Sequence, residues 1–174
     1  VSERLTVEIK ILLDSIKKDY QNLSKIIVIN GPGSFTGIRT GITAAKVLGL
    51  SLKLPVCGIS LFELLRINYL KTKPKKNLKF FIKLNKYNYF AQNISKSGKE
   101  SEIILESFGA NLQYKSKEVD LVFLDNISVK NISRKVNDKK EIITINDLFY
   151  KTYKDLINLS EKKYIPSPIY VKTF

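Results

Sequence analysis

Residues 25–41 read Lys25-Ile-Ile-Val-Ile-Asn30 and then Gly31-Pro-Gly-Ser-Phe-Thr-Gly37-Ile-Arg39-Thr-Gly41. The first six are a short apolar run rich in β-branched side chains, which suits a strand buried on both faces. The glycines and proline that follow break it, because glycine reaches backbone angles that other residues avoid and allows close approach of neighbouring chain. From about Gly37 to Leu52 the pattern turns helical, with small residues at Gly41, Ala44, Ala45 and Gly49. A strand, a glycine turn and a helix in that order are one half of a βαβ unit.

The pattern continues on both sides. Leu5, Ile9, Leu12, Leu13, Ile16 and Tyr20 recur at helical spacing and predict an amphipathic helix over 1–20. Downstream, Leu54-Pro55 stops the second helix, and Val56-Cys57-Gly58-Ile59 reads as a second buried strand. Ser60 with Glu63 forms a capping box for a helix over 61–69. Helix, strand, helix, strand, helix predicts α/β structure with parallel neighbouring strands. The basic break Lys71-Thr-Lys-Pro-Lys-Lys-Asn77 marks a boundary, giving lobes over 1–70 and 71–174. Beyond it, 78–84, 89–94 and 101–106 read as antiparallel strands, with further strands at 119–124 and 142–145. Asn146 is placed as the cap of a helix running to about Leu159, and the prolines of the tail keep 165–172 extended.

Composition narrows the function. The chain has 174 residues and a net charge of +14, carried almost wholly by lysine, with arginine only at 4, 39, 66 and 134. Two readings of that charge stand open: a footprint for nucleic acid, whose phosphates release counterions on neutralisation, and compositional drift from AT-rich coding. The scarcity of arginine, the planar phosphate reader, weighs against a dedicated site. Histidine is absent, which removes Ser–His–Asp and Cys–His chemistry within the chain. The lone Cys57 lies in a predicted strand and reads as an inert core thiol, and the cysteine usage points to a reducing, cytoplasmic setting. No apolar run is long enough to span a membrane. Asp120, Asp125 and Asp147 read as solvated ends and caps.

The 31–41 loop is not a P-loop, since no Gly-Lys-Ser/Thr follows, and Gly37 falls one residue too late for a dinucleotide fingerprint. Its amides could meet an anion at the helix start, or its glycines could simply pack helix on strand. The loop closely resembles the Gly-Pro-Gly-Ser-Phe-Thr-Gly-Leu-Arg signature of the TsaB (YeaZ) family. Ser2-Glu3-Arg4-Leu5, Thr43-Ala44-Ala45-Lys46, Pro55–Ser60 and Pro168–Lys172 resemble that family's segments in the same order. The specific part covers residues 1–65.

The resemblance implies an actin-like ATPase (ribonuclease H-like) fold of two lobes, the second small and degenerate. It also implies a further segment ahead of the first helix, one that supplies central strands. The family's catalytic relative, the TsaD-type transferase, carries two metal-binding histidines where this chain has Leu61 and Leu65, so no catalytic or metal-binding residue is assigned. What is implied instead is a non-catalytic scaffold in the threonylcarbamoyl modification of tRNA adenosine. Its partners would be the TsaD-type transferase, a TsaE-type ATPase and, indirectly, tRNA, or a second copy of the chain. Gly31, Gly33, Ser34, Phe35, Thr36, Gly37 and Arg39 are the signature-loop residues, with ATP or ADP at the interface of the complex as the cofactor reading. Arg39 is expected to order the loop through backbone carbonyls or to pair across an interface. Leu5, Ile9 and Leu12 on one helix and Ile42, Ala45 and Leu48 on the next are the candidate partner contacts. The competing reading is that both stripes cover their own sheet. The alternative function is a small basic RNA-binding module contacting tRNA through its 71–79 segment.

Overall fold

A computed structural model describes residues 2–85, 87–107, 119–124, 140–159 and 166–171. Helix α1 (Ser2–Ser15) is followed by a 3-10 turn at Tyr20–Asn22. The first helix therefore stops five residues before its predicted end. Lys17 takes a left-handed φ of 54°, and the Asp19 carboxylate accepts the amides of Gln21 and Asn22, which caps a new turn. The solvated face of α1 carries the i,i+4 pairs Arg4–Glu8 and Lys10–Asp14, and the Asp14 carboxylate raises the pKa of Lys10.

Strand β1 (Ile26–Ile29) leads into α2 (Phe35–Leu52), then β2 (Val56–Ile59) and α3 (Leu61–Leu70). β1 and β2 pair in parallel with Ile27 beside Cys57 and Val28 beside Gly58. Helix α2 begins two residues earlier than its pattern predicts, because Ser34 is the N-cap and its hydroxyl accepts the Gly37 amide at 3.2 Å. Its C-cap is Lys53, in the left-handed conformation. Gly49 lets α2 sit close on β2, since a Cβ there would lie 2.2 Å from Val56 Cγ2. Cys57 is fully buried, as the strand pattern requires. All four residues of β1, by contrast, are only half-buried. Among the described residues β1 has a neighbour on one edge only, which is why the cover expected of a two-faced buried strand is incomplete.

The chain divides into two compact units, 1–60 with 156–170, and 61–155 with 171–174. Helix α3 belongs to the second unit and packs on the strand that follows it. Tyr69 meets Phe80 at 5.5 Å between ring centroids, and Phe62, Leu64 and Leu65 are essentially inaccessible. Leu61, also buried, and Leu65 are core residues at the positions the resemblance compares with metal ligands.

The second unit holds β3 (Asn77–Lys83), β4 (Asn88–Ile94), β5 (Ile104–Ser107), β6 (Val119–Leu124) and β7 (Lys140–Ile143) in the order β5-β4-β3-β6-β7. β3, β4 and β5 form an antiparallel meander, and β6 and β7 continue it parallel to β3. The core of this unit is Phe81, Tyr89, Ala91, Leu121 and Phe123, with Phe81 and Phe123 stacked at 4.7 Å. Phe81, Leu121 and Phe123 each contribute about 1.5–3 kcal/mol of burial. Helix α4 (Ile145–Ile157) is capped by Thr144 and not by Asn146. The Thr144 hydroxyl accepts the Asp147 amide at 3.1 Å and donates to the Asp147 carboxylate at 2.7 Å. Asp147 is thus part of a cap, Asp120 pairs with Lys76 at 3.6 Å, and Asp125 lies outside the described residues. Among the described residues no helix is long and apolar enough to cross a membrane.

Candidate functional site

The signature loop starts where β1 ends. Asn30 is buried, and its amide donates to the Ile59 carbonyl at 3.0 Å, which ties the end of β1 to the end of β2. Gly31 follows with φ 133°, a conformation nearly reserved for glycine, and its bond to Pro32 is cis. The C-terminal tail runs against this corner. The Ile169 amide donates to the Asn30 carbonyl at 2.8 Å, and a Cβ on Gly31 would sit 2.9 Å from the Ile169 carbonyl oxygen. Glycine at 31 is therefore required twice, once by its own angles and once by the tail.

Ser34 then takes two amides of the following helix, Gly37 through its hydroxyl and Ile38 through its carbonyl at 2.9 Å. Ile38 is buried beneath the loop. At the surface, the Arg39 guanidinium lies 3.9 Å from the centroid of the Phe35 ring, and its Nε donates to the Tyr170 hydroxyl at 2.9 Å. Phe35 and Tyr170 stack on each other at 5.3 Å. Arg39 orders the loop, but through two aromatic rings and a phenol where the sequence led us to expect backbone carbonyls. Tyr170 has no role in the sequence reading, although the tail that carries it was matched alongside the loop. Gly33, Ser34, Phe35, Thr36, Gly37 and Arg39 are all exposed or near the surface, whereas Gly31 is buried.

The candidate partner contacts separate into two groups. Ile42 and Ala45 are buried within the first unit, where α2 packs on β1 and β2, so they are not available to a partner. Gly41 faces the same way, with Val28 Cγ2 3.7 Å from a Cβ placed on it. Leu5, Ile9 and Leu48 are half-buried, and Leu12 is 63% exposed. The periodicity missed Val7 and Ile11 on α1 and Val47 and Leu50 on α2, all more than half exposed. Helical spacing alone marks a stripe and does not say which surface covers it.

Residues 1–77 match the family described as TsaD: tRNA N6-adenosine threonylcarbamoyltransferase. Over 57 residues the chain is 47% identical to the tRNA threonylcarbamoyladenosine biosynthesis protein TsaB of Bacillus subtilis, a match covering 33% of this chain and 25% of that protein. Over 70 residues it is 39% identical to the TsaB of Buchnera aphidicola subsp. Schizaphis graminum, covering 40% of this chain and 33% of that one. Two crystal structures from Pseudomonas aeruginosa share its fold. One is YeaZ itself, with a TM-score of 0.59 at 16% identity over 98% of this chain and 84% of that one. The other is described as an uncharacterized protein with similarity to peptidase YeaZ, with a TM-score of 0.61 at 16% identity over 98% and 83%.

The chain is thus similar in part of its sequence to TsaB proteins, and it shares the fold of YeaZ along nearly its whole length. That fold is mixed α/β. The matches span a quarter to a third of the length of the curated TsaB relatives. The 1–77 stretch that matches the TsaD family model holds α1, the signature loop and α2.

Proposed function

We propose that this chain is a non-catalytic scaffold that docks a TsaD-type transferase in the threonylcarbamoyl modification of tRNA adenosine. The observation that carries the reading is the exposed apolar surface of α1 and α2, where Val7, Ile11, Leu12, Val47 and Leu50 are between 56% and 83% accessible. Apolar surface of that kind, concentrated on two neighbouring helices, marks a protein interaction site. Leu61 and Leu65 support a non-catalytic role, since buried leucines offer no ligand to a metal. The signature loop serves the same end in this reading. Its tail contact and its Arg39 stack hold the start of α2 at a fixed angle. An ATP or ADP at the interface of the complex and a TsaE-type ATPase belong to the working assembly.

Size exclusion with light scattering on a mixture of the chain and the transferase from the same genome tests this. A one-to-one complex is expected, and the double substitution Leu12→Glu/Leu50→Glu should weaken it at least tenfold while leaving the circular dichroism unchanged. Buried apolar anchors typically cost about 1–2 kcal/mol or more each when lost from an interface. No complex with the transferase, or a complex indifferent to both glutamates, would overturn the docking surface. A self-associated chain whose dimer is broken by the same glutamates would reassign that surface to a second copy.

A further inference from the structure

Between Lys71 and Lys99 the sequence holds nine lysines and no aspartate or glutamate. Drift in composition spreads lysine along a chain, so a gap of acids around a third of all the lysines calls for another account. The fold gathers part of this run at one end of the second unit's sheet. Lys73 and Lys75 precede β3, and Lys96 and Lys99 lie in the turn after β4. The two segments touch, because the Lys96 amide donates to the Asn77 side-chain oxygen at 3.1 Å. That turn is itself rigid: the Gly98 amide donates to the Ser95 carbonyl at 2.8 Å and the Lys99 amide to the Ser95 hydroxyl at 2.9 Å.

A groove of about 430 Å³ opens at this end. Ile94 and Val119 lie within it, and Asn77, Asn93, Ser95, Lys99, Glu100 and Ser101 form its polar lining. Lys73, Lys75, Lys96 and Lys99 are all exposed, and none is within ion-pair distance of a carboxylate among the described residues. The nearby acids are already engaged. Glu100 pairs with Arg66 at 3.2 Å and accepts from Gln92 at 3.4 Å, Asp120 pairs with Lys76, and Glu106 with the buried Lys79.

We infer that the lysine-bearing surface beside this groove, formed by the segments before β3 and after β4, holds the phosphate backbone of RNA. Four solvated ammonium groups on these two segments supply the charge, while the carboxamide of Asn93 can bond phosphate and sugar oxygens. Lysine is a point charge without arginine's fork, so the contact grips phosphates and reads no sequence. The scarcity of arginine, which speaks against a base-reading site, fits this one. RNA is chosen over other polyanions because the inference rests on the tRNA-modification reading; the location of the groove does not.

The test is fluorescence anisotropy of a labelled tRNA transcript with this chain alone, across a salt series. Binding that weakens as salt rises is expected. Lys96→Gln/Lys99→Gln should flatten the log–log salt slope by about 1.4–1.8 and lower affinity at least tenfold. Lys46→Gln/Lys53→Gln, on and just after α2, should change neither. The inference is overturned if the unaltered chain does not bind at low salt, or if both pairs of substitutions weaken binding equally, which would mark a diffuse cationic surface. It is also overturned if Lys96→Gln/Lys99→Gln leaves RNA binding intact but loosens the transferase complex, which would make the groove a protein contact. Because no transferase is present in the RNA assay, failure of the docking reading leaves its result unchanged.

Discussion

The two glycines that open the signature loop are predicted to differ sharply when each is replaced by alanine. Gly31 has φ 133°, where an L side chain is strained by about 1–3 kcal/mol. Its new Cβ would also lie 2.9 Å from the Ile169 carbonyl oxygen and 3.2 Å from Ile169 Cβ. That overlap involves backbone, so relief requires the tail to move. Moving it forfeits the Ile169–Asn30 hydrogen bond, worth about 1 kcal/mol, and the Arg39–Phe35–Tyr170 stack, worth about 0.5–1 kcal/mol at an exposed site. Together these place Gly31→Ala about 2.5–5 kcal/mol below the parent, a large share of a typical domain's stability of about 5–15 kcal/mol. Gly33 carries neither constraint, since a Cβ there would make an ordinary 3.7 Å contact with Ile38 Cδ1. Gly33→Ala should therefore be neutral, or stabilising by up to about 1 kcal/mol through the unfolded chain. Urea unfolding followed by far-ultraviolet circular dichroism measures both, and hydrogen exchange at the Ile169 amide reports whether the tail has lifted. Equal tolerance of the two alanines, with Ile169 protection unchanged, would refute the claim that tail and loop lock one another.

Two further expectations follow from close contacts elsewhere in the first unit. Gly49→Ala should destabilise by about 1–3 kcal/mol despite alanine's better helix propensity, because its Cβ would fall 2.2 Å from Val56 Cγ2; Val56→Ala in the same chain should restore most of the loss in a double-mutant cycle. Lys25 donates to the Ile157 carbonyl at 3.1 Å and the Leu159 carbonyl at 2.7 Å, at the C-terminal end of α4, so Lys25→Met should cost about 1 kcal/mol and speed exchange in the last turn of that helix.

The elements from β1 to α3 were legible because everything that defines them is local. Apolar runs set the strands, Gly31–Gly33 and Leu54-Pro55 punctuate them, and only the start of α2 shifted, once Ser34 was seen to cap it. The end of α1 was not legible, since Ile16 and Tyr20 continue the helical period while Lys17 and the Asp19 cap break the backbone. Thr144 and Asn146 are both good capping residues; the reciprocal pair that Thr144 makes with Asp147 decides between them, and this requires coordinates. Arg39 was identified as the loop's charged residue, but its partner Tyr170 is 131 positions away. No local signal joins two residues so far apart, although the loop and tail both matched the same family and could have been paired on that ground.

The exposed helix faces are best understood through the arrangement of apolar residues on α2. A helix that only covers its own sheet needs one apolar stripe, with polar residues opposite. On α2 that stripe exists: Ile38, Ile42, Ala45 and Gly49 follow one another at spacings of four, three and four, and all are buried. Yet Val47 and Leu50, three apart, are apolar on a separate face, accessible at 57% and 83%. Helix α1 repeats the arrangement, with Leu13 buried while Val7 and Ile11, four apart, are exposed. Scattered exposed leucines need no explanation, but a second stripe on each of two neighbouring helices does. Keeping it in water forgoes the burial energy of several large side chains, a loss that docking a partner would recover. Both helices lie within residues 1–77, the stretch that matches the TsaD family model.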